Sequence, residues 1–125
     1  MNILLLISGA IAAFVIIGHF IFGIRWYLQP MLDAEFEAIP KRVMHAVFHY
    51  VSVFLILSTL ALLGAALGLL PGASSLLVKF IGLNYFLFAI WQILLAATSG
   101  IPGALIKMFQ WSAFLPIAVL AWLGA

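Results

Sequence analysis

Residues 3–24 read ILLLISGAIAAFVIIGHFIFGI, without one charged side chain. A helix needs about 20 mainly apolar residues to cross the hydrocarbon core of a bilayer, and this stretch alone is long enough. Three further segments of the same kind follow at 43–70, 76–98 and 104–123. The second stops at Pro71-Gly72 and the third at Ser99-Gly100-Ile101-Pro102-Gly103, both turn-forming runs. In lipid the backbone must satisfy its own hydrogen bonds, so such segments are helices. The expected fold is all-α: a polytopic membrane protein with four transmembrane helices in an antiparallel bundle, one membrane domain over residues 1–125.

Composition agrees with this reading. Of 125 residues, 68% are hydrophobic and 6% charged, against roughly 45–50% and 25% in soluble domains. A soluble monomer of this size could neither hide that apolar surface nor cover itself with so few charges. A soluble domain, a disordered chain and a nucleic-acid binder are therefore excluded, and the first partner is the lipid bilayer. The first segment lacks a positive n-region, and its apolar run is too long for a signal peptide, so it is expected to persist as a helix. With no cysteine, disulfides, iron–sulfur clusters and thiol nucleophiles fall away.

Basic residues set the orientation. Arg25, Lys41 and Arg42 lie in the first loop and Lys107 just after the third, whereas only Lys79 lies on the opposite side. The positive-inside rule then places both termini outside the cytoplasm. The loop 25–42 alone has a mixed composition. Gln29-Pro30 is expected to break the first helix. Residues 31–39 alternate Met31, Leu32, Phe36 and Ile39 with Asp33, Glu35 and Glu37, which reads as a short amphipathic helix on the membrane surface. All three acids sit here, as a solvated face or as a lid and access point for a cation. Gly64 and Gly68 have the spacing that lets membrane helices approach closely. They serve packing inside the bundle, or a homo-oligomer or larger membrane complex.

The polar residues inside the spans form a layer. Counting 1.5 Å per residue from Arg25 and Arg42 places His19, His45 and His49 at about 5–10 Å below one interface. His45 and His49 are spaced i, i+4 and share a helix face, continued inward by Ser52. Gln92 and Gln110 lie at the same depth on the other two spans. Buried ionisable residues in membranes are functional candidates by default. Three imidazoles match the ligand count of a catalytic zinc site. His19 with His45 or His49 could supply the two axial ligands of a b-type haem. Copper suits imidazole with thioether. HExxH is absent, because His45-Ala46-Val47-Phe48-His49 holds no glutamate, and no enzyme activity follows from the cluster. The competing reading is a non-catalytic accessory subunit whose histidines, serine and glutamines only hydrogen-bond the helices together.

The runs Gly18-His19-Phe20-Ile21-Phe22-Gly23-Ile24-Arg25, Leu28-Gln29-Pro30-Met31-Leu32, and Arg42 with Phe48-His49-Tyr50-Val51-Ser52-Val53 resemble a family of small bacterial four-helix inner-membrane proteins. The resemblance covers residues 15–60. Phe48 stands where that pattern has tryptophan, and Ile24 where it has an acid. It implies a bacterial inner-membrane location and that His19, Pro30, His49 and Ser52 belong together. It implies no activity.

Overall fold

The computed structural model describes residues 1–70 and 74–125. The expected stop at Pro71-Gly72 lies outside the described residues. Every regular element among those described is helical. The first starts at Asn2, whose side-chain oxygen accepts from the amides of Leu4 and Leu5 at 3.1 and 3.2 Å. This satisfies two of the donors that a helix start leaves open. Helix α1 runs Ile3–Gly18; from His19–Leu28 the turns widen to the π pattern, and α2 follows at Gln29–Asp33. The amide of Gln29 still donates five residues back, to Ile24. Together these pieces make one continuous helix, Ile3–Asp33.

Pro30 therefore does not break the helix. It falls in the first turn of α2, where the turn narrows again and the missing amide costs little. The surface helix expected at 31–39 is not formed either. Its first residues end α2, its last ones start α3 (Ala38–Ala66), and 34–37 between them are non-helical. Pro40 sits in the first turn of α3 and acts as a helix starter, whereas Pro30 sits inside a continuous helix, at its change of winding.

Helix α3 ends on Gly68, at φ +74. Its amide donates to Ala65 and that of Leu69 to Gly64, at 3.1 and 2.9 Å. This is a Schellman cap, in which glycine takes a left-handed conformation that other residues resist. Gly68 thus lies beyond the helix, and Gly64 and Gly68 do not make one close-packing helical face. Helix α4 spans Ser74–Thr98.

Beyond Gly103, α5 lasts only Ala104–Lys107, and α6 runs Trp111–Gly124. The indole N–H of Trp111 donates to the Leu105 carbonyl at 2.9 Å, the acceptor that the amide of Phe109 would reach in an unbroken helix. Among the described residues three helices, Ile3–Asp33, Ala38–Ala66 and Ser75–Thr98, are long and apolar enough to cross a membrane. The fourth expected span is shorter: α6 has 14 residues, about 21 Å.

Helix α1 packs against α3 and α6, α6 against α4, and α3 touches α4 lightly. Asn2 closes one end, its amide donating to Ala66 at 2.8 Å and its side chain to Gly124 at 2.7 Å. Lipid is as apolar as leucine, so close contact rather than the hydrophobic effect holds such helices together. Small residues mark the contacts. Gly9 lies on Leu63, and Gly82 on Trp122 and the Ala118 carbonyl. Ser8, fully buried, donates to the Ile117 carbonyl at 2.9 Å. Tyr85 is the largest fully buried side chain, and its hydroxyl pairs with Ser58 at 2.9 Å. The outer surface is apolar, with Phe14, Leu57, Leu60 and Ile106 among the exposed side chains, a surface suited to lipid rather than water.

Candidate functional site

His19 is the first residue of the widened segment, facing α3. Its ring stacks on Phe48, centroids 4.2 Å apart and planes 16° from parallel. The stack needs Gly23: a Cβ there would sit 3.4 Å from the Phe48 ring and 3.6 Å from Nδ1 of His19. At the other edge, Nε2 of His19 lies 2.8 Å from Oγ of Ser52.

Ser52 is the centre of the cluster. Its buried hydroxyl also lies 3.4 Å from Nδ1 of His49 and 3.2 Å from the Phe48 carbonyl. A hydroxyl has one proton to give. If it goes to the Phe48 carbonyl, both imidazoles present N–H to Oγ; otherwise one ring accepts and the other donates. Removing this oxygen leaves two rings without a partner on an apolar helix pair. Ser52→Ala is expected to cost about 1–2 kcal/mol in an SDS-titration unfolding experiment, and Ser52→Thr much less. An unfolding midpoint unchanged by Ser52→Ala would show that the hydroxyl does not hold the rings.

His45 stands apart from this meeting point. Its ring lies beside that of His49, 5.2 Å between centroids and tilted 45°. Among the described residues, no group of three or more His, Cys, Asp or Glu side chains is arranged to hold a metal ion. The described residues thus give no support to the metal or haem centre expected from His19, His45 and His49. The reason is rotation: the edges of His19 and His49 turn to Ser52, and Phe48 covers a face of His19.

Gln92 donates to Oε1 of Gln110 at 2.6 Å, joining α4 to the start of α6. Asp33 accepts from Gln29 at 2.9 Å and is exposed, as are Glu35 and Glu37. Arg25 and Arg42 are exposed, and Lys41 lies over the Phe36 ring at 5.3 Å.

Between α1, the widened segment, α3 and α6 lies a cavity of about 400 Å³. Phe14, Phe22, Phe48 and Phe114 wall it, with His19 and Gln110 on its border. Gly18 leaves space there, since a Cβ would meet no atom within 4 Å. Trp26 and Tyr27 lie at the end nearer the loop, and the Tyr27 hydroxyl reaches the Lys107 carbonyl at 3.4 Å. Phe14 is 74% exposed and Phe22 45%, so the cavity opens sideways, onto the surface that faces lipid. Asp33, Glu35 and Glu37 are not among its lining residues. Sequence reasoning passed over this cavity. Its signal is a pair of glycines, Gly18 and Gly23, flanking a histidine within an apolar run. No family model, curated protein or solved structure matches this chain.

Proposed function

We propose that this chain is an integral membrane protein whose lateral cleft binds an apolar small molecule drawn from the bilayer. The observation that carries the reading is the cavity: its volume falls in the range of small-molecule sites, aromatic rings wall it, and it opens toward lipid. The His19–Ser52–His49 network fixes one wall, because it holds the Phe48 ring in place. In this reading the chain spans the membrane four times as an antiparallel bundle, the broken 104–124 segment making the fourth crossing. Support comes from the pairing of Asn2 with Ala66 and Gly124 at one end, and of His19 with Ser52 further along. The resemblance in residues 15–60 supports a bacterial inner membrane. Arg25, Lys41, Arg42 and Lys107 at the end opposite the termini support termini outside the cytoplasm. Gly64 and Gly68 do not support a docking face, since Gly68 caps α3.

Gly18→Leu tests the cleft. Gly18 has ordinary helical angles, φ −60 and ψ −40, and its Cβ direction is open. Leucine there has an open start at the cleft wall that Gly18 lines, is expected to take up cleft space, and improves helix propensity by about 1 kcal/mol. Saturable binding of tritiated methyl palmitate to the purified chain, read by scintillation proximity, is expected to weaken about tenfold or more. The melting temperature in detergent should be unchanged or raised. Equal binding by wild type and Gly18→Leu would refute the cleft.

A further inference from the structure

The polar groups bordering the cleft, whose binding role is the reading above, point to one class of ligand. No aspartate, glutamate, lysine or arginine lines it, and an unpaired charge brought into such a site is costly. The ligand is therefore neutral. Of the bordering polar groups, the Tyr27 hydroxyl is turned to the Lys107 carbonyl and Nε2 of His19 to Ser52, while Nδ1 of His19 lies on the Gly23 side of a ring stacked on Phe48. The Trp26 indole is also a donor, but it is 52% exposed and lies at the end nearer the loop, away from the slot between the phenylalanines. Gln110 remains.

The Gln110 side chain is oriented by its pairing with Gln92. Oε1 of Gln110 accepts from Gln92, and Oε1 of Gln92 is buried without a partner. Turning both amides over would instead bury the Gln92 NH2 without an acceptor, and orphaned buried N–H groups are rarer than under-satisfied oxygens. Nε2 of Gln110 is thus the free end, with no hydrogen-bond partner among the described residues. A free N–H2 beside an aromatic slot needs an oxygen acceptor.

We infer that the cleft selects a neutral, single-chain lipid whose head is a carbonyl, with Gln110 Nε2 donating to that oxygen and the chain lying along Phe14, Phe22 and Phe114.

The test is a displacement series on the full-length wild-type chain in detergent. Tritiated methyl palmitate is the probe; unlabelled methyl palmitate, hexadecane and hexadecylamine are the competitors. One hydrogen bond to a neutral acceptor makes methyl palmitate roughly three- to tenfold tighter than hexadecane, and hexadecylamine weaker than methyl palmitate. Gln110→Leu removes the preference for the ester. Gln110→Glu, which keeps the size and the acceptor for Gln92, removes it as well.

The inference is overturned if hexadecane equals methyl palmitate in the wild type. It is equally overturned if hexadecylamine displaces best, or if the ester preference survives in Gln110→Leu or Gln110→Glu. Should a variant not fold, the wild-type series still decides. These failures leave the cleft standing as long as Gly18→Leu abolishes binding. The absence of any saturable binding of tritiated methyl palmitate would overturn the cleft and the head-group assignment together.

Discussion

A Gly9→Leu chain is expected to unfold at a clearly lower SDS fraction than the wild type, with a loss of about 2–3 kcal/mol. At position 9 even a Cβ would stand 2.6 Å from a methyl of Leu63, 2.8 Å from its γ carbon and 3.3 Å from its backbone nitrogen. A flexible side chain can step aside, but the backbone of α3 cannot. The two helices must separate, and every contact around that point loosens with them. In lipid this matters more than in water, because water does not press the helices back together; only close contact and hydrogen bonds do. Gly9→Ala should fall between wild type and Gly9→Leu. The same substitution nine residues further along, Gly18→Leu, meets open space and should not destabilise. The contrast isolates packing from helix propensity, which favours leucine at both sites. Equal stability of the Gly9→Leu and Gly18→Leu chains would show that α1 and α3 are not held in contact at Leu63.

The sequence makes the long helices easy to locate and their rotations hard to know. Hydropathy reports depth, and an uncharged run such as 3–24 has no other stable form in lipid. It does not report where a helix continues past the membrane edge. Pro30 and Pro40 look like stops in a loop, yet Pro40 sits in a first turn, where proline costs little, and Pro30 sits where the widened turns of one continuous helix narrow again. Likewise, Gly64 and Gly68 carry a spacing that suits a helix face, but Gly68 ends the helix. The spacing alone cannot distinguish a packing glycine from a capping one. The close contacts at Gly9 and Gly82 have no second glycine four residues away to make that spacing. The break at 108–110 has no proline or glycine to announce it. It depends on the Trp111 indole reaching back to Leu105, a tertiary detail. Depth counting also puts His19, His45 and His49 at one level without saying which edges meet. The widened turns from His19–Leu28 change the rotation of that helix, and no local residue pattern encodes them.

The other large effect is expected at Tyr85. Its ring, fully buried, lies among Phe54, Phe88 and Phe114, with centroids 5.6, 6.4 and 5.7 Å away. In a soluble core, truncating such an aromatic to alanine costs about 3–5 kcal/mol, part of it transfer from water and part the cavity left behind. In a bilayer the transfer part largely vanishes, because the surrounding lipid is equally apolar. The cavity and lost contacts remain, so Tyr85→Ala should cost about 2–3 kcal/mol in SDS unfolding.

The hydroxyl is the smaller term. Ser58, which it meets at 2.9 Å, also reaches the Leu55 carbonyl at 3.2 Å, so Tyr85→Phe leaves Ser58 with a partner. It should cost about 0.6 kcal/mol, the average for such bonds between membrane helices. A Tyr85→Phe chain as unstable as Tyr85→Ala would mean that the hydrogen bond, not the ring, ties α4 to α3. The ring has a second consequence. Phe114 packs on Tyr85 from one side and walls the cleft from the other. Tyr85→Ala frees Phe114 to fall back into the vacated space, widening the cleft away from Gln110. It should therefore weaken methyl palmitate binding as well as the fold, whereas Tyr85→Phe should leave binding unchanged.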